Sequence, residues 1–284
     1  MFTPTGEIVT AARAEGGAVG AFNVITVEHA EAVVTGAERA GLPVLLQISE
    51  NAVRFHHGRL APIAAAARTI AGLSSVPVGL HLDHVVSDEL FDQAADCGFG
   101  SVMYDAALRP YEENVAATAA AVRRGHRRGL WVESELGEIG GKDGAHAPGV
   151  RTDPHEAVSY VAATGVDALA VAVGSSHAMA TRTAKLDHDL IARLRVAVPV
   201  PLVLHGSSGV PDGELSAAVR AGMVKINIGT ALNSAFTGAV REVLDGNATL
   251  TDPRRYLTSA RDAMAATVTA ALLLLSASRT RVRS

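Results

Sequence analysis

Short apolar or β-branched runs recur along the chain at intervals of roughly 25–30 residues, each followed by an alanine-rich stretch with apolar positions at helical spacing. The runs are "AVGAFNV", "PVLLQIS", "PVGLHLDH", "SVMYD", "LWVESELG", "ALAVAVG", "PLVLHG" and "MVKINIG", which makes eight candidate strands. Segments such as "TVEHAEAVVTGAERAG" and "PYEENVAATAAAVRRGHRRG" between them read as amphipathic helices with glycine near the C-terminal end. No linker or change of composition interrupts the alternation. The pattern predicts an α/β chain folded as a single (β/α)8 barrel over residues 1–284, with a C-terminal helical extension, rather than two domains.

Composition sharpens this picture in a few places. With 284 residues, 48% of them hydrophobic, the chain can bury a full core. A formal charge of -4 offers no basic face for nucleic acid and leaves a small neutral or anionic ligand open. A single cysteine, Cys97, excludes an intrachain disulfide and a cysteine-built zinc site, so a metal would need histidine or carboxylate ligands; a reducing cytoplasm is the expected setting. The N-terminal "MFTPTGEIVTAARAEGG" lacks the basic-then-apolar pattern of a signal peptide. The apolar stretch Met264–Ala277 is shorter than the roughly 20 residues a bilayer crossing requires, so no membrane partner is expected.

Barrel active sites form at the C-terminal ends of the strands, and the costly polar residues fall there. The candidate strands end in Asn23, Ser49, Asp83 with His84, Asp105, Glu133 with Glu135, His205, and Asn227 with Thr230, while "GSSH" with His177 follows the sixth. His84, His177 and His205 supply the ligand count of a catalytic zinc site with one open position, although each could equally satisfy itself within its own loop. "HGSSGVPD" and "NIGTAL" follow the last two strands, where barrels commonly bind phosphate through backbone N–H groups at a helix start, and Ser207, Ser208, Gly209 and Thr230 suit that use.

Taken together in order, "HLDH", "VESELGEIGGKD", "VLHGSSGVPD", "KINIGTAL" and "DPRRYL" resemble the motifs of the class II, metal-dependent ketose-bisphosphate aldolases, the family of fructose- and tagatose-bisphosphate aldolases. The resemblance implies a zinc enzyme (Zn2+, replaceable by Co2+, with a monovalent cation also open) that cleaves a ketose bisphosphate to dihydroxyacetone phosphate and glyceraldehyde 3-phosphate. It implies metal ligands His84, His177 and His205, an acid/base at Asp83, and phosphate binding by Gly206, Ser207, Ser208, Gly209 and Thr230. Asn227 and Gly229 would lie against the substrate, Asn23 and Ser49 would line the pocket, and Arg254 would reach the distal phosphate across the interface of a homodimer or homotetramer.

The chemistry agrees with these assignments. Breaking the C3–C4 bond of a ketose leaves an electron pair that the adjacent carbonyl must accept, which a divalent ion on its oxygen promotes. The C4 hydroxyl must also lose its proton, and Asp83 beside the metal could take it. Glu133 and Glu135, two residues apart, share a face and could brace a ligand histidine, with Glu135 as an alternative metal position. His81 reads as packing or outer support. Several positions depart from the family pattern, among them Ala178, which follows His177 where glycine is usual, and Asp143, which stands where the family places the glutamate that moves the C3 proton. Competing readings are a Schiff-base enzyme built on Lys225, a metal-dependent epimerase or isomerase, and a sugar-phosphate-binding barrel without turnover.

Overall fold

The computed structural model describes residues 1–137, 150–175 and 182–278. Every apolar run quoted above becomes a strand: β1 (Val19–Asn23), β2 (Val44–Ser49), β3 (Val78–Val85), β4 (Ser101–Tyr104), β5 (Trp131–Leu136), β6 (Ala168–Val171), β7 (Leu202–Leu204) and β8 (Met223–Ile228). They pair in parallel and in sequence order, and β8 returns to β1 to close a (β/α)8 barrel. The helices are α1 (Thr5–Ala14), α2 (Val27–Ala40), α3 (Glu50–Phe55), α4 (Leu60–Leu73), α5 (Asp88–Gln93), α6 (Tyr111–Arg127), α7 (Pro154–Thr164), α8 (His188–Ala197), α9 (Asp212–Ala221), α10 (Thr230–Gly246) and α11 (Pro253–Ala277). Their ends follow local chemistry. Asp153 accepts the N–H groups of His155 and Glu156 to start α7 behind Pro154, and Gly41, at φ 66, ends α2 in the left-handed region that disfavours a side chain.

Alternate residues of each strand point into the barrel, and their character changes along its axis. Near the N-terminal mouth the interior is apolar or small: Val19, Ala21 and Leu45 pack with Ile8 and Val9 of α1, while Ala168, Ala170 and Val203 pack with Trp131. The sequence pattern singled out no helix before β1, yet α1 plugs this mouth. Gly79 is required there, because a Cβ on it would sit 2.7 Å from Leu45 Cδ2 and 3.1 Å from Thr5 Oγ1. Higher up, Gln47, His81, Ser101, Glu133 and Lys225 are buried. Alanines opposite Glu133 and Glu135 in the β5–β6 register leave room for these long side chains.

The C-terminal extension is longer than its apolar stretch suggested. Helix α11 runs from Pro253, and by length and composition it passes the test for a membrane-crossing helix, which Met264–Ala277 alone did not. Its buried residues, Met264, Ala265, Val268, Leu272 and Leu275, belong to the core that surrounds the barrel. It lies so close to α2 that a Cβ on Gly36 would be 2.7 Å from both Ala265 O and Val268 Cβ. Gly36→Ala, which in an open helix stabilises by about 1 kcal/mol, is therefore expected to destabilise by about 1–3 kcal/mol through overpacking. Denaturant unfolding measures the difference, and a more stable variant would show that the helices separate freely.

Candidate active site

In a regular strand Asp83 and His84 would face opposite sides. Gly79, His81 and Asp83 follow the inward alternation of β3, but the backbone turns at His84 to φ 50 and the register with β4 shifts between Leu82 and Val85. A left-handed turn at a residue with a Cβ costs about 1–2 kcal/mol. In return, Asp83 and His84 both line the same cavity. The His84 ring is oriented by Asp105 at the end of β4, whose Oδ2 lies 2.8 Å from Nδ1 and whose Oδ1 accepts the Ala107 N–H at 3.3 Å. With the ring proton on Nδ1, donated to Asp105, the Nε2 lone pair faces the cavity.

His205, after β7, stands edge-on to His84 with ring centroids 4.8 Å apart. Its Nε2 lies 3.0 Å from Glu133 Oε1, and its Nδ1 lies 3.0 Å from His84 Nε2. Glu135 Oε2 is 3.7 Å from the same Nδ1, and Asp83 Oδ2 is 4.0 Å from His84 Nε2. Ligand atoms of Asp83, His84 and His205 fall within 4.8 Å of one another. With the outer ring proton of each donated to its carboxylate, the two imidazoles would aim lone pairs at one point. A divalent cation with nitrogen and oxygen ligands relieves that repulsion, so the donor set fits a metal.

Beneath these rings Glu133 Oε2 is ion-paired with Lys225 Nζ at 2.8 Å, both side chains fully buried. Lys225 also donates to Gln47 Oε1 at 3.4 Å, and Gln47 donates to Asn23 Oδ1 at 2.9 Å. Such a lysine, already paired and outside the cavity lining, is poorly placed for a Schiff base. His81 contacts Ser101 Oγ at 2.8 Å through Nδ1. Burial, reinforced by the Lys225 charge, holds its pKa well below the ordinary value, so the ring is neutral.

The cavity above is about 660 Å3 in volume. Continuing from His205, the chain supplies Gly206 at φ 66, the short 3₁₀ turn Ser207–Gly209 and, after β8, the N-terminus of α10. Ser207 donates its hydroxyl to the Asn227 carbonyl, and Ser208 Oγ accepts the Ala231 N–H at 3.1 Å, locking the turn onto the helix start. Asn23, Ser49, Gly206, Ser207, Ser208, Asn227, Gly229 and Thr230 all line the cavity, and Gly209 is buried. Ser49 also caps α3 by accepting the Ala52 N–H at 3.2 Å. Arg254 does not join this group: at the start of α11 it is paired with Asp252 at 2.8 Å and its side chain is 87% exposed. His177, Ala178 and Asp143 lie outside the described residues.

The strand-end pattern noted Asp105 without giving it a task, and it overlooked Gln47, whose inward position two residues before Ser49 was the available signal. Glu50, Arg54 and Arg109 also line the cavity. Glu50 binds Arg54 at 2.6 Å and accepts the Val86 N–H at 2.7 Å, tying α3 to the loop after β3. The contact to Val86 joins distant segments and leaves no local pattern, whereas Glu50 and Arg54 are an i,i+4 pair within α3.

The profile described as "Fructose-bisphosphate aldolase class-II" matches residues 3–280. Fructose-bisphosphate aldolase of Staphylococcus aureus (strain N315) is 38% identical over 265 residues, covering 92% of this chain and 93% of its own, and that of Geobacillus stearothermophilus is 40% identical over 254 residues, covering 88% of each. The crystal structure of the YdjI aldolase from Escherichia coli K12 superimposes with a TM-score of 0.86 at 32% identity over the whole of both chains. With the barrel, the histidine pair and this end-to-end similarity in agreement, the chain belongs to the class II fructose-bisphosphate aldolase family of metal-dependent lyases.

Proposed function

We propose that the protein is a zinc-dependent aldolase that reversibly cleaves fructose 1,6-bisphosphate or tagatose 1,6-bisphosphate to dihydroxyacetone phosphate and glyceraldehyde 3-phosphate. The observation that carries this reading is the pair of facing nitrogens, His84 Nε2 and His205 Nδ1, 3.0 Å apart and each backed by a carboxylate. His84 and His205 would hold the ion with His177 as third ligand, and Glu135 offers an oxygen on the same side. When bound, the ion polarises the ketose carbonyl that receives the electrons of the breaking bond.

The remaining steps belong to the chain's own side chains. Asp83, buried at the cavity wall, takes the proton of the C4 hydroxyl during cleavage and returns it during condensation. Asp143 is assigned the proton at C3. Gly206, Ser208, Gly209 and Thr230 hold the phosphate of the dihydroxyacetone half at the start of α10, with Ser207 keeping the turn in place. Asn227 and Asn23 orient the substrate between these walls, beside Gly229, where a Cβ would sit 3.2 Å from Asn23 Cγ. Arg254, exposed and not part of its own cavity lining, is assigned the distal phosphate in a neighbouring subunit of a homodimer or homotetramer.

Chelation is expected to abolish cleavage, and zinc or cobalt to restore it. Turnover in metal-free protein, or borohydride trapping on Lys225 in the presence of substrate, would overturn the reading. A screen of ketose mono- and bisphosphates identifies the substrate, because an aldolase alone yields two shorter carbonyl compounds; a rearranged but uncleaved sugar would indicate an isomerase. Asp83→Asn is expected to retain metal and lose about 10²–10⁴-fold in cleavage. Exchange of the C3 proton of dihydroxyacetone phosphate with solvent, followed by NMR, should fall much less; equal losses would show that Asp83 does not act at the C4 oxygen.

A further inference from the structure

Lys225 has no part in the chemistry above, yet it is completely buried and ion-paired under the histidine wall. We propose that Lys225 is a positioning residue for the metal site: by fixing Glu133 it keeps the ring proton of His205 on Nε2 and the Nδ1 lone pair turned toward His84. The inference rests on the reading of His84 and His205 as metal ligands.

A neutral imidazole carries one ring proton, and the neighbours of His205 make opposite demands on it. Asn227 Nδ2 lies 3.0 Å from Nε2, as does Glu133 Oε1. The amide donor favours a lone pair on Nε2, which would put the proton on Nδ1, directly facing His84 Nε2 at 3.0 Å, and block that nitrogen as a ligand. The carboxylate favours the reverse. An amide can meet either demand by turning over, and Asn227 Oδ1 is buried with no hydrogen-bond partner among the described residues, so its oxygen is available to share the Nε2 proton. A carboxylate has only acceptors, so Glu133 decides the outcome as long as it stays in place.

Lys225 holds it there. Its Nζ lies 2.8 Å from Oε2 while Oε1 faces the histidine, so one carboxylate group spans the lysine on β8 and the ring after β7. The second bond of Lys225, to Gln47 Oε1 on β2, one strand beyond β1, fixes the direction of the ammonium. A buried carboxylate without such a counter-charge is strongly disfavoured.

Outer partners of ligating histidines are typically worth 10–100-fold in metal affinity. Lys225→Met, of similar length, is expected to raise the zinc Kd by about that factor in competition with a chromophoric chelator, and to change the visible absorption of the cobalt-loaded protein at full occupancy. A folded variant with native zinc affinity and a native cobalt spectrum would overturn the proposal. In a Glu133→Gln background, Lys225→Met is expected to change the Kd less than about twofold, since the lysine acts only through that carboxylate. The doubly substituted protein keeps a neutral acceptor for His205 and buries no unpaired charge, so it can be assayed even if neither single variant folds, and native zinc affinity in it would overturn the proposal. Equal loss in both backgrounds would also overturn the proposal. Native zinc affinity in His84→Ala would refute the ligand reading itself, whichever way Lys225 behaves.

Discussion

A carboxylate and an ammonium with no solvent contact stand at the centre of this barrel, and the site above depends on their mutual neutralisation. Glu133 and Lys225 project from β5 and β8, and neither charge is tolerable there alone. Together they set the chemistry of both the layers they touch. Upward, Glu133 supports His205; sideways, Lys225 reaches Gln47 and through it Asn23, so residues from β1, β2, β5 and β8 at the floor of the cavity are joined through one pair. Downward, His81 stays uncharged beside that ammonium and is linked through Ser101 to Thr5 at the start of α1. The helix that plugs the barrel and the rings that face the cavity are ends of one buried polar column.

The cavity over this column has two chemically different walls. One is built from imidazole and carboxylate and suits a cation and a travelling proton; the other is built from a tight turn, hydroxyls and a helix start and suits an anion. A phosphorylated ketose carries both needs a few bonds apart. The strands fix the first wall and helix α10 fixes the second, so a ketose phosphate that met both would place at α10 the phosphate nearer its carbonyl.

The fold was nearly all legible in the sequence, because parallel strands buried on both faces leave unmistakable apolar runs, and β1 through β8 stand where those runs lie. Helix α1 escaped notice because its short amphipathic face covers a barrel mouth rather than a strand, and the true start of α11 at Pro253 was hidden by the polar "DPRRYLTSARDA" that precedes its apolar half. The site was legible wherever a polar residue closes an apolar run. Asp105 could be seen but not interpreted, since its contact with His84 spans separate strands. Lys225 invited a catalytic reading because sequence shows a lysine on a strand without its partner, and only the closure of the barrel brings Glu133 to it.

The left-handed turn at His84 has a mechanical consequence. Residues drawn from different strands keep their distances only as well as the barrel keeps its shape, and loops after strands move most. Asp83 and His84 instead share a peptide plane, which sets their Cα atoms about 3.8 Å apart whatever the surrounding packing does. A change in the shape of the mouth leaves that backbone step unaltered, because covalent bonds hold it, and only the torsions of the two side chains can change the distance between their polar atoms.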